Sequence, residues 1–204
     1  MPNVTVESLL ISELRHRLAN SFQLLQAVIH IRLRTAVDPD SRRHLSWLLD
    51  VVTALSMLQQ RIGFKGPTDF GAYLTEAATY WRRVCEGRAI GIVLDVSAVQ
   101  VTEAEASTLA LIAHELISNA IEHAFPHGQA GSIELMFHER ADGIRELVVR
   151  DDGRGMPDAR DNGREGLELV CGLAEHLGGQ VELINERGVT ARVLVPPAHT
   201  PRAH

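Results

Sequence analysis

Leu147-Val148-Val149-Arg150-Asp151-Asp152-Gly153-Arg154-Gly155-Met156-Pro157 runs from a β-strand pattern straight into an acidic, glycine-rich loop. An aspartate at a strand end can accept a hydrogen bond from an exocyclic amine, and closely spaced glycines let backbone approach a flat base. Taken alone, Asp-x-Gly-x-Gly is more often a hairpin or surface turn, so the surroundings must decide. Upstream, the spacing predicts alternating strands over 132–138 and 144–150, joined by a turn at Ala141-Asp142-Gly143. Downstream it predicts a helix over 166–177 stopped by Gly178-Gly179, then strands over 181–185 and 189–195. Further upstream come a helix over 69–85, a β-like run over 90–96 and a helix over 102–124. Strands and helices mixed in this order predict an α+β fold with helices layered on one sheet.

The helix over 102–124 carries Glu115 and Asn119, four residues apart and therefore on one face. Together they offer oxygen ligands suited to a magnesium ion bridging phosphates. The stretch Gly163 to Gly166 precedes a helix whose first amides could hold phosphate oxygens. Better-known solutions fail on spacing. His114-Glu115 lacks the second zincin histidine, because Ser118 stands there. Gly153 and Gly155 occupy positions where a calcium loop needs oxygen ligands, and Asp158 stands where a dinucleotide fingerprint needs its third glycine. The sole lysine, Lys65, is followed by Gly66, so there is no P-loop.

The pattern changes at Lys65-Gly66-Pro67. Before it, Leu10, Leu14, Leu18, Phe22, Leu25 and Ile29 recur at three- and four-residue steps, the stripe of an amphipathic helix. His16 lies two residues from both Leu14 and Leu18, roughly 200° around the helix, and so faces solvent. Glu13, three residues back on the same face, is placed to orient the ring or take its proton, or else to pair with Arg17. Asp38-Pro39 is a helix start with Asp38 as N-cap, and Leu45, Leu48, Val52, Leu55 and Ile62 follow near heptad spacing. Two such helices on a short turn make a hairpin that cannot bury both stripes alone. Pairing with a second copy into a four-helix bundle is expected, through Leu14, Leu18, Leu48, Val52 and Leu55.

Composition narrows the function classes. A formal charge of -6 and 4% aromatics argue against a nucleic-acid surface, although Arg32, Arg34, Arg42 and Arg43 could meet an acidic partner. Cys85 and Cys171 lack metal-type spacing and read as reduced. No apolar run approaches the roughly 18 residues of a membrane span, and no signal segment opens the chain, so a soluble, cytoplasmic protein is expected.

Taken together, these blocks resemble the two-component sensor histidine kinases, in the branch whose phosphoacceptor helix reads His-Arg-Val-Lys-Asn-Asn-Leu-Gln. The matching segment is His16-Arg17-Leu18-Ala19-Asn20-Ser21-Phe22-Gln23. The family's N box corresponds to 114–125, its first glycine box to 151–157, and its second to Gly166-Leu167-Glu168-Leu169-Val170. The resemblance covers nearly the whole chain in order. It implies a dimerisation and phosphotransfer hairpin over 1–66, a Bergerat-type (GHKL) ATP-binding α+β sandwich over 67–196, and a loose tail over 197–204. It makes His16 the phosphoacceptor and Asn119 the magnesium ligand with Glu115 beside it. Asp151 becomes the adenine contact, and 158–165 a short lid. His123, Gly153, Gly155, Gly163, Gly166 and Leu167 complete the expected nucleotide contacts. The implied activity is autophosphorylation of His16 from Mg-ATP, followed by transfer to an aspartate of a response-regulator receiver domain. The chain departs from the family pattern at Ala19, Ser21, Glu122 and Glu168. A related reading is a histidine phosphotransferase that shuttles phosphate between receiver domains without ATP.

Overall fold

The computed structural model describes residues 6–61, 67–156 and 164–197. Ile62, the boundary at Lys65-Gly66, Gly163, most of the expected lid and the last seven residues lie outside the described residues.

Two long helices open the chain, α1 (Val6–Thr35) and α2 (Pro39–Arg61). Asp38 caps α2 as expected. Its carboxylate accepts from the Ser41 hydroxyl at 2.7 Å and the Ser41 amide at 2.8 Å, and these bonds hold its carboxyl below the usual range. The short turn sets the helices antiparallel, and Gln26 Nε2 donates to Thr53 Oγ1 across them at 3.1 Å.

The second part opens with β1 (Thr68–Asp69), α3 (Phe70–Val84), β2 (Ile90–Val96), β3 (Gln100–Val101) and α4 (Glu103–Asn119). Helix α4 runs on into a single π-helical turn at Ala120–Ala124. Then follow β4 (Gly131–Glu139), β5 (Arg145–Asp151), α5 (Arg164–His176), β6 (Gln180–Glu186) and β7 (Gly188–Val195). The five-stranded sheet has the order β2-β4-β5-β7-β6; β2 and β4 are parallel and the other pairs antiparallel. This is the expected α+β sandwich. The turn after β4 sits where Ala141-Asp142-Gly143 predicted it, with Gly143 at φ 81°. Helix α5 ends as predicted too, with Gly178 at φ 69° and the Gly179 amide returning to the Ala174 carbonyl at 2.8 Å.

The two-residue ribbon of β1 and β3 was not expected, because strands that short leave no periodicity to read. It fixes two helix starts side by side. Asp69 at the end of β1 caps α3 through the Ala72 amide (3.1 Å), and Thr102 just after β3 forms a capping box with Glu105 on α4.

The core lies between the helices and one face of the sheet. Phe70, Leu74 and Trp81 of α3, Leu109, Ile112 and Ile117 of α4, and Val170 and Ala174 of α5 cover Ile133, Leu135 and Phe137 of β4, Leu147 and Val149 of β5, and Val193 of β7. Leu58 of α2 joins the same core, so the hairpin is anchored on α4 and α3. That contact corrects one expectation. Leu14, Leu18 and Leu48 are exposed at 51%, 43% and 40%. Val52 is buried and Leu55 half-buried within the single chain, because α2 turns this side toward its own partners. No described helix is long and apolar enough to cross a membrane.

Candidate functional site

Three sequence-distant segments meet at the end of α4. Asn119 Nδ2 donates to Glu115 Oε1 at 3.1 Å, one helical turn apart, which leaves the amide oxygen of Asn119 uncommitted by that bond. Gly166, in the first turns of α5, presses against the same pair. A Cβ there would run into the Glu115 carboxylate and come within 3.0 Å of Asn119 Nδ2. The second glycine box thus needs glycine for space, since its backbone is ordinary helix. Burial pushes the Glu115 carboxyl above its usual range, against hydrogen bonds from Asn119 and Trp47 that favour the charged form. A buried carboxylate and an amide oxygen beside a helix start suit a magnesium ion shared with phosphates, since magnesium takes oxygen ligands and keeps part of its shell for substrate.

The first glycine box forms the adjoining wall. Asp151 ends β5 almost fully buried, and burial raises its carboxyl despite hydrogen bonds from the Gly153 and Val189 amides. Gly153 is packed so closely on the π-helical turn that a Cβ would collide with the Ala124 carbonyl. The next residue, Arg154, donates its amide to that same carbonyl at 3.0 Å. The π turn therefore has a structural use: it carries the chain from α4 under the glycine loop. Gly155 takes φ 76°, the left-handed region that favours glycine, with the Asn185 side chain beside it. Asn185 holds the loop through two bonds, accepting from the Met156 amide (2.9 Å) and donating to the Met156 carbonyl (3.2 Å). Gly188 leaves room for the Asp151 carbonyl, and Ser132 ties down Asp152 through its amide (2.7 Å) and hydroxyl (2.9 Å). Asn185, Gly188 and Ser132 carry no sequence signal of their own. They are read only once β4 and the β7–β6 pair are set on either side of β5.

His123 stands exposed on the π turn with Nε2 4.0 Å from Glu122, and Leu167 is half-buried on α5. Gly163 lies outside the described residues. His16 is exposed on α1, as its spacing predicted. Glu13 is ion-paired with Arg17 at 2.9 Å, both side chains largely in solvent.

His16 is not brought to the other site residues. It lies ten residues before Gln26, whereas Asp50, which faces α4, lies three residues before the Thr53 that Gln26 contacts. Along an antiparallel hairpin those thirteen steps amount to about 20 Å. Asp50 belongs to a second junction that sequence reasoning missed. Its carboxylate accepts from Ser118 Oγ at 3.5 Å and lies 3.7 Å from His114 Nε2. His114 is buried, and its Nδ1 accepts from the Trp81 indole at 3.2 Å, so Nε2 carries the proton. That Nε2 has no hydrogen-bond partner among the described residues.

Residues 87–190 match the family described as histidine kinase-like ATPase domain. The blue-light-activated histidine kinase 2 of Erythrobacter litoralis is 27% identical over 194 residues, covering 90% of this chain and 55% of that protein. The sensor histidine kinase PdtaS of Mycolicibacterium smegmatis is 26% identical over 176 residues, 78% of this chain and 33% of that protein. The chain thus spans about half, or less, of the length of these relatives. The histidine kinase domain of the Erythrobacter litoralis EL346 blue-light-activated kinase superposes with a TM-score of 0.68 at 23% identity, covering 85% of this chain and 95% of that one. That likeness is one of fold.

Proposed function

From the premise that the chain belongs to the histidine kinase-like ATPase domain family, we propose that it is a protein-histidine kinase that uses Mg-ATP to phosphorylate His16. The observation that carries this reading is the Glu115–Asn119 pair with Gly166 packed against it. Magnesium, when bound, neutralises charge across the β- and γ-phosphates; Asn119 and Glu115 would hold it. Asp151 accepts the adenine amine, Gly153 and Gly155 admit the base, and the first amides of α5 hold phosphate oxygens. A ring nitrogen of His16 forms the new bond to the γ-phosphorus as the bond to the bridging oxygen breaks, and ADP leaves with that electron pair. Glu13, released from Arg17, orients the ring.

The phosphoryl group then passes to a carboxylate of a response-regulator receiver domain, in keeping with an imidazole exposed on a helix face. Leu14, Leu18 and Leu48 pack against a second copy of the hairpin, and no nucleic acid or membrane takes part. A cytoplasmic site of action fits this chemistry, since the ATP and receiver domains it requires are there.

The test is labelling with γ-labelled ATP and magnesium. Label that is acid-labile, base-stable and lost in His16→Ala, with circular dichroism unchanged, is the expected result. A His16→Ala protein labelled as strongly as wild type would sink the assignment. The exposed Glu122 and Glu168, on the two elements that flank the site, favour a second reading in which ATP is bound weakly and His16 only shuttles phosphate between receivers. Calorimetry that finds no heat with millimolar Mg-ATP, alongside rapid receiver-to-His16 transfer, would select it.

A further inference from the structure

The glycine loop leaves the sheet before it reaches the residues that admit the base. Strand β5 pairs with β4 as far as Asp151, opposite Ile133, and with β7 as far as Arg150, opposite Thr190. From Asp152 to Met156 no strand neighbour holds the backbone, so its shape depends on a few anchors. One side is tied at β4 and the π turn: Ser132 donates to Asp152, and Arg154 donates its amide to the Ala124 carbonyl. On the other side the chain crosses the start of β7, where Gly188, at φ 96°, has no side chain to strike the Asp151 carbonyl. Beyond that crossing it meets Asn185 of β6, an edge strand of the sheet.

There Asn185 does what a strand neighbour would do. Its carboxamide turns an acceptor and a donor on one residue, accepting from the Met156 amide at 2.9 Å and donating to the Met156 carbonyl at 3.2 Å. Asn185 is also the register partner of Val189, whose amide donates to the Asp151 carboxylate. One end of the β6–β7 hairpin therefore fixes both the carboxylate that would accept an adenine amine and the loop against which the ring would lie. Resting on the kinase reading above, we infer that Asn185 is a positioning residue of the adenine site. It acts through the loop, holding the Gly153–Met156 backbone in the shape that admits the base. Without its two bonds the loop is ordered only when nucleotide binds, and the cost of that ordering lowers the affinity. The phosphate end is built separately, from Glu115, Asn119 and Gly166 of α5, and is left as it was.

The experiment compares the full chain with Asn185→Ala and Asn185→Asp, each checked for folding by circular dichroism. Calorimetry measures the affinity of all three for Mg-ATP, for adenosine and for inorganic triphosphate with magnesium. With two hydrogen bonds removed, Asn185→Ala should bind Mg-ATP and adenosine about tenfold more weakly, and triphosphate as wild type does. Asn185→Asp keeps the side chain's size but turns an oxygen toward the Met156 carbonyl, so it should be weakened for the same two ligands; it also serves as the test should the alanine variant fail to fold. The KM for Mg-ATP in His16 labelling should rise by the same factor while the rate at saturation is unchanged. Wild-type affinity for adenosine in either folded variant overturns the inference, as does an equal loss for triphosphate or a fall in the saturated rate; each leaves the kinase reading intact. Nucleotide bound by wild type with no label on His16 would remove the kinase reading, while the affinity comparison still decides the role of Asn185. A wild-type protein that binds neither Mg-ATP nor adenosine would remove both.

Discussion

The hairpin and the ATP-binding sandwich bury their apolar residues to very different degrees. In the sandwich, Leu109, Ile112, Ile133, Leu135 and Phe137 are fully inaccessible, in a core of sheet and helices that Leu58 of the hairpin helix α2 completes. On α1, Leu14, Leu18, Leu25, Val28 and Ile31 stay between 43% and 63% exposed. The sandwich covers its apolar residues, whereas much of the α1 stripe stays on the surface. The difference sets the Glu115–Asn119 pair in the closed part of the molecule and His16 on the exposed part. Disruption should therefore unfold the sandwich but only dissociate the hairpin.

The largest effect is expected inside the sandwich. Arg145 and Glu105 form an ion pair with side chains only 7% and 11% exposed. Arg145→Met strands a buried carboxylate and should cost about 3–5 kcal/mol in denaturant unfolding. Burial works to raise the Glu105 carboxyl, but bonds from Thr102 and Arg145 outweigh it and hold the carboxyl below the usual range. With the folded value depressed, this stabilisation is present above the ordinary carboxylate range and is lost as pH falls through the folded value. The variant should lose the part of that acid-side dependence that Arg145 supplies. A variant as stable as wild type would show that the sandwich does not depend on this pair.

Next in size is Leu18→Asp on the hairpin. Each apolar side chain covered by a second copy contributes roughly 1.5–3 kcal/mol, so the change should convert dimer to monomer in light scattering while the sandwich melts as before. Wild-type protein that is monomeric at micromolar concentration would contradict the unfinished-hairpin view. Asp151→Asn should then weaken Mg-ATP by about 10- to 100-fold, the value of a hydrogen bond to a charged acceptor. Since burial already raises this carboxyl, its charge opposes folding as pH rises through the folded value; the asparagine should leave thermal stability unchanged or higher. A destabilised variant would mean that Asp151 serves the fold before the ligand. The smallest effect belongs to Glu13→Gln. Its solvated pair with Arg17 contributes about 0.5 kcal/mol or less, so stability should not move and only the labelling rate of His16 should fall, by a few-fold.

What the sequence determined by itself was periodic or capped. The helical stripes, the Asp38-Pro39 start, the strand alternation over 132–150, the Ala141-Asp142-Gly143 turn and the Gly178-Gly179 stop are local, because propensity and pattern act over a few residues. The i,i+4 spacing of Glu115 and Asn119 was legible for the same reason. The ribbon of β1 and β3 was too short to show a period, and the π turn looks like helix until Gly153 packs against its last carbonyl. Asn185, Gly188 and Gly166 acquired their roles only when α4, α5 and strands β5, β7 and β6 came together, since steric exclusion and side-chain hydrogen bonds act between segments far apart in the chain. The sharpest case is α2. Its heptad spacing marked Val52 and Leu55 as apolar but could not say which surface would cover them. Tertiary packing settled that by setting this side of the helix against its own chain, and with it brought Trp47 and Asp50 to the helix that carries Glu115.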